Sequence, residues 1–142
     1  MATEILVNDG GAPARIMNLG AAGAAIEAGM FVDIDSSGNI VAATDDQEAS
    51  ASGEKVALGV LLVDAVSGEP TSIVTGKGIV CNVQAAEALA TIGTEVTIDN
   101  AGKVEATADA DAHRAVGITL AASFTGADSG GADTTFVKVL LL

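Results

Sequence analysis

The sequence predicts an all-β domain, a small β-barrel or sandwich built from two related β units with at most one or two short helices. Three observations predict it. Short runs alternate apolar and polar residues with a period of two. The 17 glycines and small polar clusters cut the chain into pieces too brief for most helices. A stretch of fifteen residues then recurs without gaps later in the chain. The length of 142 residues suits one domain, since domains most often run about 100–150 residues.

The elements follow in chain order. Ile5, Leu6 and Val7 form an apolar patch in residues 1–18, which read either as an N-terminal arm or as a first strand. The remainder, 19–142, reads as a single β domain with repeat units at about 24–83 and 88–142. Gly20 to Gly29 offers a turn of helix that its glycines oppose. Met30 to Asp35 alternates, placing Phe31 and Asp33 on one face and Val32 and Ile34 on the other. Ser36-Ser37-Gly38-Asn39 then reads as a hairpin turn. Ala57 to Leu62 and Thr71 to Val74 are two further strands, and Thr75-Gly76-Lys77-Gly78 is a tight bend. Gln84 to Ala90 is the better helix candidate. Glu95 to Asp99 alternates cleanly and enters the turn Asn100-Ala101-Gly102-Lys103. Ala115 to Leu120 and Thr135 to Leu140 are the closing strands. Loops Thr44 to Glu54 and Ala121 to Asp133, rich in Asp, Ser, Gly and Ala, are expected to be exposed and mobile.

The repeat ties these pieces together. Gly29 to Ala43 aligns on Gly93 to Thr107, and both copies read G-x-x-V-x-I-D-x-x-G-x-(I/V)-x-A. Each copy is followed by a loop, a strand, a second loop and a final strand. The final strands are matched as Thr71–Val74 with Thr134–Val137. Two such units supply six to eight strands, enough for a small closed barrel or a sandwich and too few for a solenoid.

Composition excludes several function classes. Nineteen acidic residues against six basic ones give a formal charge of −13, which opposes nucleic acid and anionic membrane surfaces alike. Aromatics are 2% of the chain, three Phe with no Trp or Tyr, so bases and sugars find no stacking platform. No apolar run is long enough to span a bilayer. Met1-Ala2-Thr3-Glu4 has no basic region before an apolar segment, so a secretory leader is not expected. Cys81, the single cysteine, reads as a buried small hydrophobe.

Chemistry finds little purchase. The one histidine, His113, lies in a polar stretch and has no nucleophile motif beside it. One His and one Cys cannot make a zinc site. Asp33-x-Asp35-x-x-Gly38 has a superficial likeness to a calcium loop, but Ser37 and Thr44 stand where the fifth ligand and the bidentate Glu belong. Gly76-Lys77-Gly78 lacks the hydroxyl that follows the lysine in a phosphate loop. No catalytic, cofactor-binding or metal residue is therefore assigned, and no cofactor is expected.

The segments Ala28–Val41, Ala57–Leu62, Gly93–Val104, Ala115–Leu120 and Thr134–Leu142 resemble those of the small β-barrel decoration (cement) proteins of tailed-phage heads. In that family a G-x-x-V segment, an A-x-G-V strand after an acidic loop, a second G-x-x-V-x-x-D-x-x-G hairpin and two closing strands follow one another. The likeness covers roughly residues 20–142. The 76–78 bend, the 84–90 segment and the strong acidity depart from the pattern, and the acidity points to a marine or halophilic host. The resemblance implies a non-enzymatic virion protein, made in the host cytoplasm. It implies binding to the outer capsid surface as a homotrimer that stabilises the lattice of the major capsid protein. The interface expected is Ile5, Leu6 and Val7, as an arm joining a capsid sheet, together with Val139, Leu140, Leu141 and Leu142. The last four are too apolar for a free tail and are expected to be buried in the domain or between subunits. Another virion component (tail, spike or head fibre) and a non-viral ligand-binding or accessory β-barrel are the alternatives.

Overall fold

A computed structural model describes residues 2–8, 15–44, 57–99, 101–106, 115–128 and 130–142. The architecture is all-β, with two antiparallel sheets in a sandwich-like arrangement. Neither sheet closes on itself, so of the two architectures expected from sequence the barrel is corrected to the open sandwich. His113 and most of the 44–54 loop lie outside the described residues.

The first sheet contains β2 (Arg15–Met17), β3 (Phe31–Ile34), β4 (Ile40–Ala42), β5 (Gly59–Leu61) and β6 (Ile73–Thr75), in the order β2-β6-β5-β3-β4. The second contains β7 (Val80–Gln84), β8 (Glu95–Ile98), β9 (Val104–Ala106), β10 (Gly117–Thr119) and β12 (Asp133–Leu141), in the order β7-β12-β10-β8-β9. The two orders match strand for strand. Two additions distinguish the second sheet: β1 (Leu6–Asn8) lies outside β7, and β11 (Phe124–Ala127) pairs β12.

The match extends to register. Val32 faces Ala42 and Gly59, and Val96 faces Ala106 and Gly117. Leu58 N–H donates to Val32 O at 2.8 Å, as Val116 N–H does to Val96 O at 2.9 Å. Leu62 N–H donates to Ser72 O and Leu120 N–H to Lys138 O, both at 2.9 Å. These pairs place Ile73 and Val139 at equivalent positions, through Leu61↔Ile73 and Thr119↔Val139. The final strands therefore match three residues further along β12 than the alignment of Thr71–Val74 with Thr134–Val137 predicts. The misalignment arose because β12 is nine residues long and its first half is spent on β11.

The two hairpin turns are built alike. Asp35 Oδ1 accepts from the amides of Ser37 and Asn39, both at 2.9 Å. Asp99 Oδ1 accepts from Ala101 and Lys103 at 2.8 and 2.9 Å. A carboxylate that bonds to the backbone just after it pins the turn. The bond from the Asn39 amide, foremost among several, holds the Asp35 carboxyl below its ordinary range. Its contribution to stability is thus present above the unfolded carboxyl's pKa and lost as pH falls through the folded value. The same bonds use Asp35 for the turn, in place of the calcium-loop role its spacing superficially suggests.

Neither stretch read as helical becomes a helix, and the described residues contain none. In 20–29, Ala22 N–H donates to Glu69 O, Gly23 N–H to Ile40 O and Ile26 N–H to Ala65 O. Gln84 ends β7, Ala86 N–H donates to Val104 O, and Leu89 N–H meets Ser123 Oγ at 2.8 Å. Backbone donors that find cross-chain partners have no need of the i−4 carbonyl. Seven residues also fall below the ~12–15 an isolated helix needs. Ala121–Asp133, expected to be a loop, contains β11.

Burial follows the two-residue period. Along the first sheet Phe31, Val60 and Val74 join the large core, while Val32, Leu61 and Ile73 enter a smaller core under Ala22, Ile26 and Ala65. The large core also holds Val96, Ile98, Val104, Val137, Val139 and Phe136 from the second sheet. The two halves meet where Phe31 N–H donates to Gly102 O at 2.9 Å. Gly102 is buried, with φ +75° and space for a Cβ only 2.8 Å from Phe31 O. Its counterpart Gly38 has φ +84° and open space around it. Gly102→Ala should therefore destabilise the fold by about 3 kcal/mol, and Gly38→Ala, where only the left-handed backbone resists, by about 1 kcal/mol. Denaturant midpoints would measure both, and equal effects would contradict the interlock.

Candidate functional site

The residues singled out from sequence come together around β7. Its neighbours are β1 on one side and β12 on the other, so Leu6, Cys81 and Val139 form one row across the sheet. β7 is nearly all buried. It holds the N-terminal segment through backbone and side chain together: Asn82 N–H donates to Ile5 O, and Asn82 Nδ2 to Glu4 O, both at 2.8 Å. Thr3 N–H adds a bond to Ala127 O on β11.

At the end of the same strand, Gln84 links the halves. Its N–H donates to Gly29 O at 2.9 Å, and its Nε2 to Ala28 O and Glu27 Oε2, both at 3.0 Å. The acceptor ends of Asn82 and Gln84 are buried with no protein partner.

The seven expected interface residues divide by exposure. Ile5, Val139 and Leu141 are buried in the molecule's own core, and Leu6 and Leu140 are half-buried. Val7 at 41% and Leu142 at 49% are the two whose side chains a partner could reach. Leu6–Asn8 pairs with the chain's own β7.

Sequence reasoning passed over other exposed apolar residues: Ile16 and Met17 on β2, Val63 and Val66 after β5, Ile92, Leu120 and Phe124. The signal was weak, because single apolar residues among Gly, Ala and Asn do not reveal which way they point.

Among the described residues three clefts stand out. One of about 210 Å³ lies at the open end where Phe31 and Leu58 approach Val116 and Leu142, with Lys77 at its edge. A second, of about 170 Å³, is lined by Thr3, Ile5, Leu62, Asp64 and Phe136. The third, about 340 Å³, is open and acidic, with Glu87 and Glu95 on its rim. Among the described residues no group of three or more His, Cys, Asp or Glu stands close enough to hold a metal ion. The described surface offers β-sheet edges and scattered apolar side chains.

Cys81 lies in the middle of β7, fully enclosed, and burial pushes its thiol up to about 11. The native protein should thus resist an aromatic disulfide reagent at about pH 8 and react only on unfolding, since the thiolate is the reactive form. Labelling of the folded protein at the rate of a free thiol would contradict the enclosed position.

No protein-family model matches the sequence, and no curated protein matches it. Among solved structures, the N base of the head fibre protein gp8.5 of bacteriophage phi29 shares the fold, with a TM-score of 0.60 and 14% sequence identity. The likeness covers 92% of this chain and 95% of that one.

Proposed function

We propose that the chain is a structural protein of a phage head, bound to the outer surface of the capsid. The observation that carries this reading is the near end-to-end likeness to a head-fibre base, with both chains covered almost completely. Duplicated short-stranded sheets with acidic turns suit a protein that works by contact. A net charge of −13 on the chain keeps such particles apart in solution.

In this reading the partner is the major capsid protein, and the chain works as a homotrimer with no cofactor. Neither nucleic acid nor membrane is a partner. The mechanism is linkage: a ligand that binds only the mature lattice stabilises it by mass action. Bridging neighbouring subunits multiplies weak contacts into firm attachment. That logic fits a surface without Trp or Tyr, where no single residue supplies a large anchor.

A second reading, the base of a projecting head fibre, is favoured by the described role of the phi29 neighbour. The two differ in whether a further part stands above the base.

Cryo-electron microscopy of purified particles of the encoding virus, with and without the gene, tests both. The expected result is density of this size on the outer face of the head at local three-fold positions. Loss of the gene should lower the temperature at which heads open. A projection above each site would favour the fibre base. Density at the tail alone, or absence of the protein from washed particles, would overturn the head assignment.

A further inference from the structure

The duplication gives the molecule two equivalent sheet edges, and among the described residues only one of them is filled. In the second half the outer edge of β7 carries residues 3–8 of the chain itself. The matched strand in the first half is β2, because Met17↔Ile73 occupies the register of Cys81↔Val139. Ile16, Met17 and Asn18 thus correspond to Val80, Cys81 and Asn82. Among the described residues β2 is the end of its sheet, and Ile16 and Met17 are 55% and 43% exposed.

The equivalence includes the side chain that does the holding. Asn82 grips the docked segment through its amide N–H and its Nδ2. Asn18 stands at the same position, exposed, with its Oδ1 accepting the Gly20 N–H at 3.1 Å. Nδ2 is therefore the donor left for a docked carbonyl. Since amides alternate in an antiparallel ladder, those of Ile16 and Asn18 point outward, as that of Asn82 does.

We infer that β2 is a seat for an extended segment of another polypeptide, which adds to the sheet as residues 3–8 add to β7. The occupant is apolar at alternate positions, like Ile5 and Val7, and acidic near Arg15, the sole Lys or Arg before Lys55. A second copy of this chain is the poorer occupant. Its own residues 3–8 are already seated on its own β7, and each copy brings a charge of −13. This goes beyond attachment as such; in the reading proposed above, the segment belongs to a capsid subunit.

The test uses the ¹⁵N-labelled full chain and a synthetic peptide of residues 2–8, Ala-Thr-Glu-Ile-Leu-Val-Asn, the sequence that β7 accepts. Amide shifts are expected at Arg15–Asn18 and at their partners on β6. Asn18→Asp keeps the acceptor for Gly20 and removes the donor, so peptide binding should weaken about tenfold with the fold unchanged. Shifts confined to residues 80–84, or none at millimolar peptide, would overturn the inference. Concentration-dependent shifts at 15–18 without peptide would replace the foreign segment with a second copy and overturn the occupant. On particles, equal attachment of wild type and Asn18→Asp would also count against the seat. Failure of wild type to attach while the peptide binds would defeat the head assignment and support the seat.

Discussion

The hydrogen bond from Phe31 N–H to the Gly102 carbonyl is the contact on which the rest of the molecule turns. Each half alone is a thin sheet of mostly short strands, and small isolated sheets are marginal in water. Stability therefore depends on bringing the halves together. The chain has few large side chains with which to bridge a gap, so backbones must approach closely. A glycine at the second turn permits this, and Ala42 and Ala43 beside it keep the path open. Gln84 adds the other cross-link, donating to Gly29, Ala28 and Glu27.

That interlock also explains why two halves with one topology carry different surfaces. The first turn faces solvent at Gly38, while the second is driven into its neighbour at Gly102. The second sheet gains β1 and β11 and the long β12, and its β7 is buried from both edges. Among the described residues the first sheet ends at β2, whose side chains are exposed. Natural β proteins seldom leave a sheet edge without a charge, a cover or a use. Arg15 gives this one a charge, and a seated strand would give it a cover.

The hairpins Phe31–Ala42 and Glu95–Ala106 were legible because alternation, an Asp and a turn Gly all coincide there. β5 and β10 were legible from the apolar runs around Gly59 and Gly117. β2 and β7 were not, although Arg15–Asn18 and Ile79–Asn82 prove to be counterparts. Their sequences are short and mix polar with apolar residues, so periodicity has nothing to report. The 84–90 segment misled for a related reason. Alanine favours helix only where nothing better takes its backbone donors, and here Val104 and Ser123 take them. The expected interface at the termini was chosen for apolar character alone. Character marks a residue for burial without saying against what, and most of those residues fill the chain's own core.

By itself the sequence determined the all-β class, the duplication and the two matched hairpin turns. Each is a local matter, written in residues a few positions apart. Tertiary structure alone decided that the sheets stay open, that one turn glycine is buried and its twin free, and that Asn82 holds a strand while its counterpart Asn18 stands exposed. Those outcomes depend on pairings between residues some sixty positions apart in sequence. Such pairings are set by which edges meet once the two halves lock, and no local spacing records them.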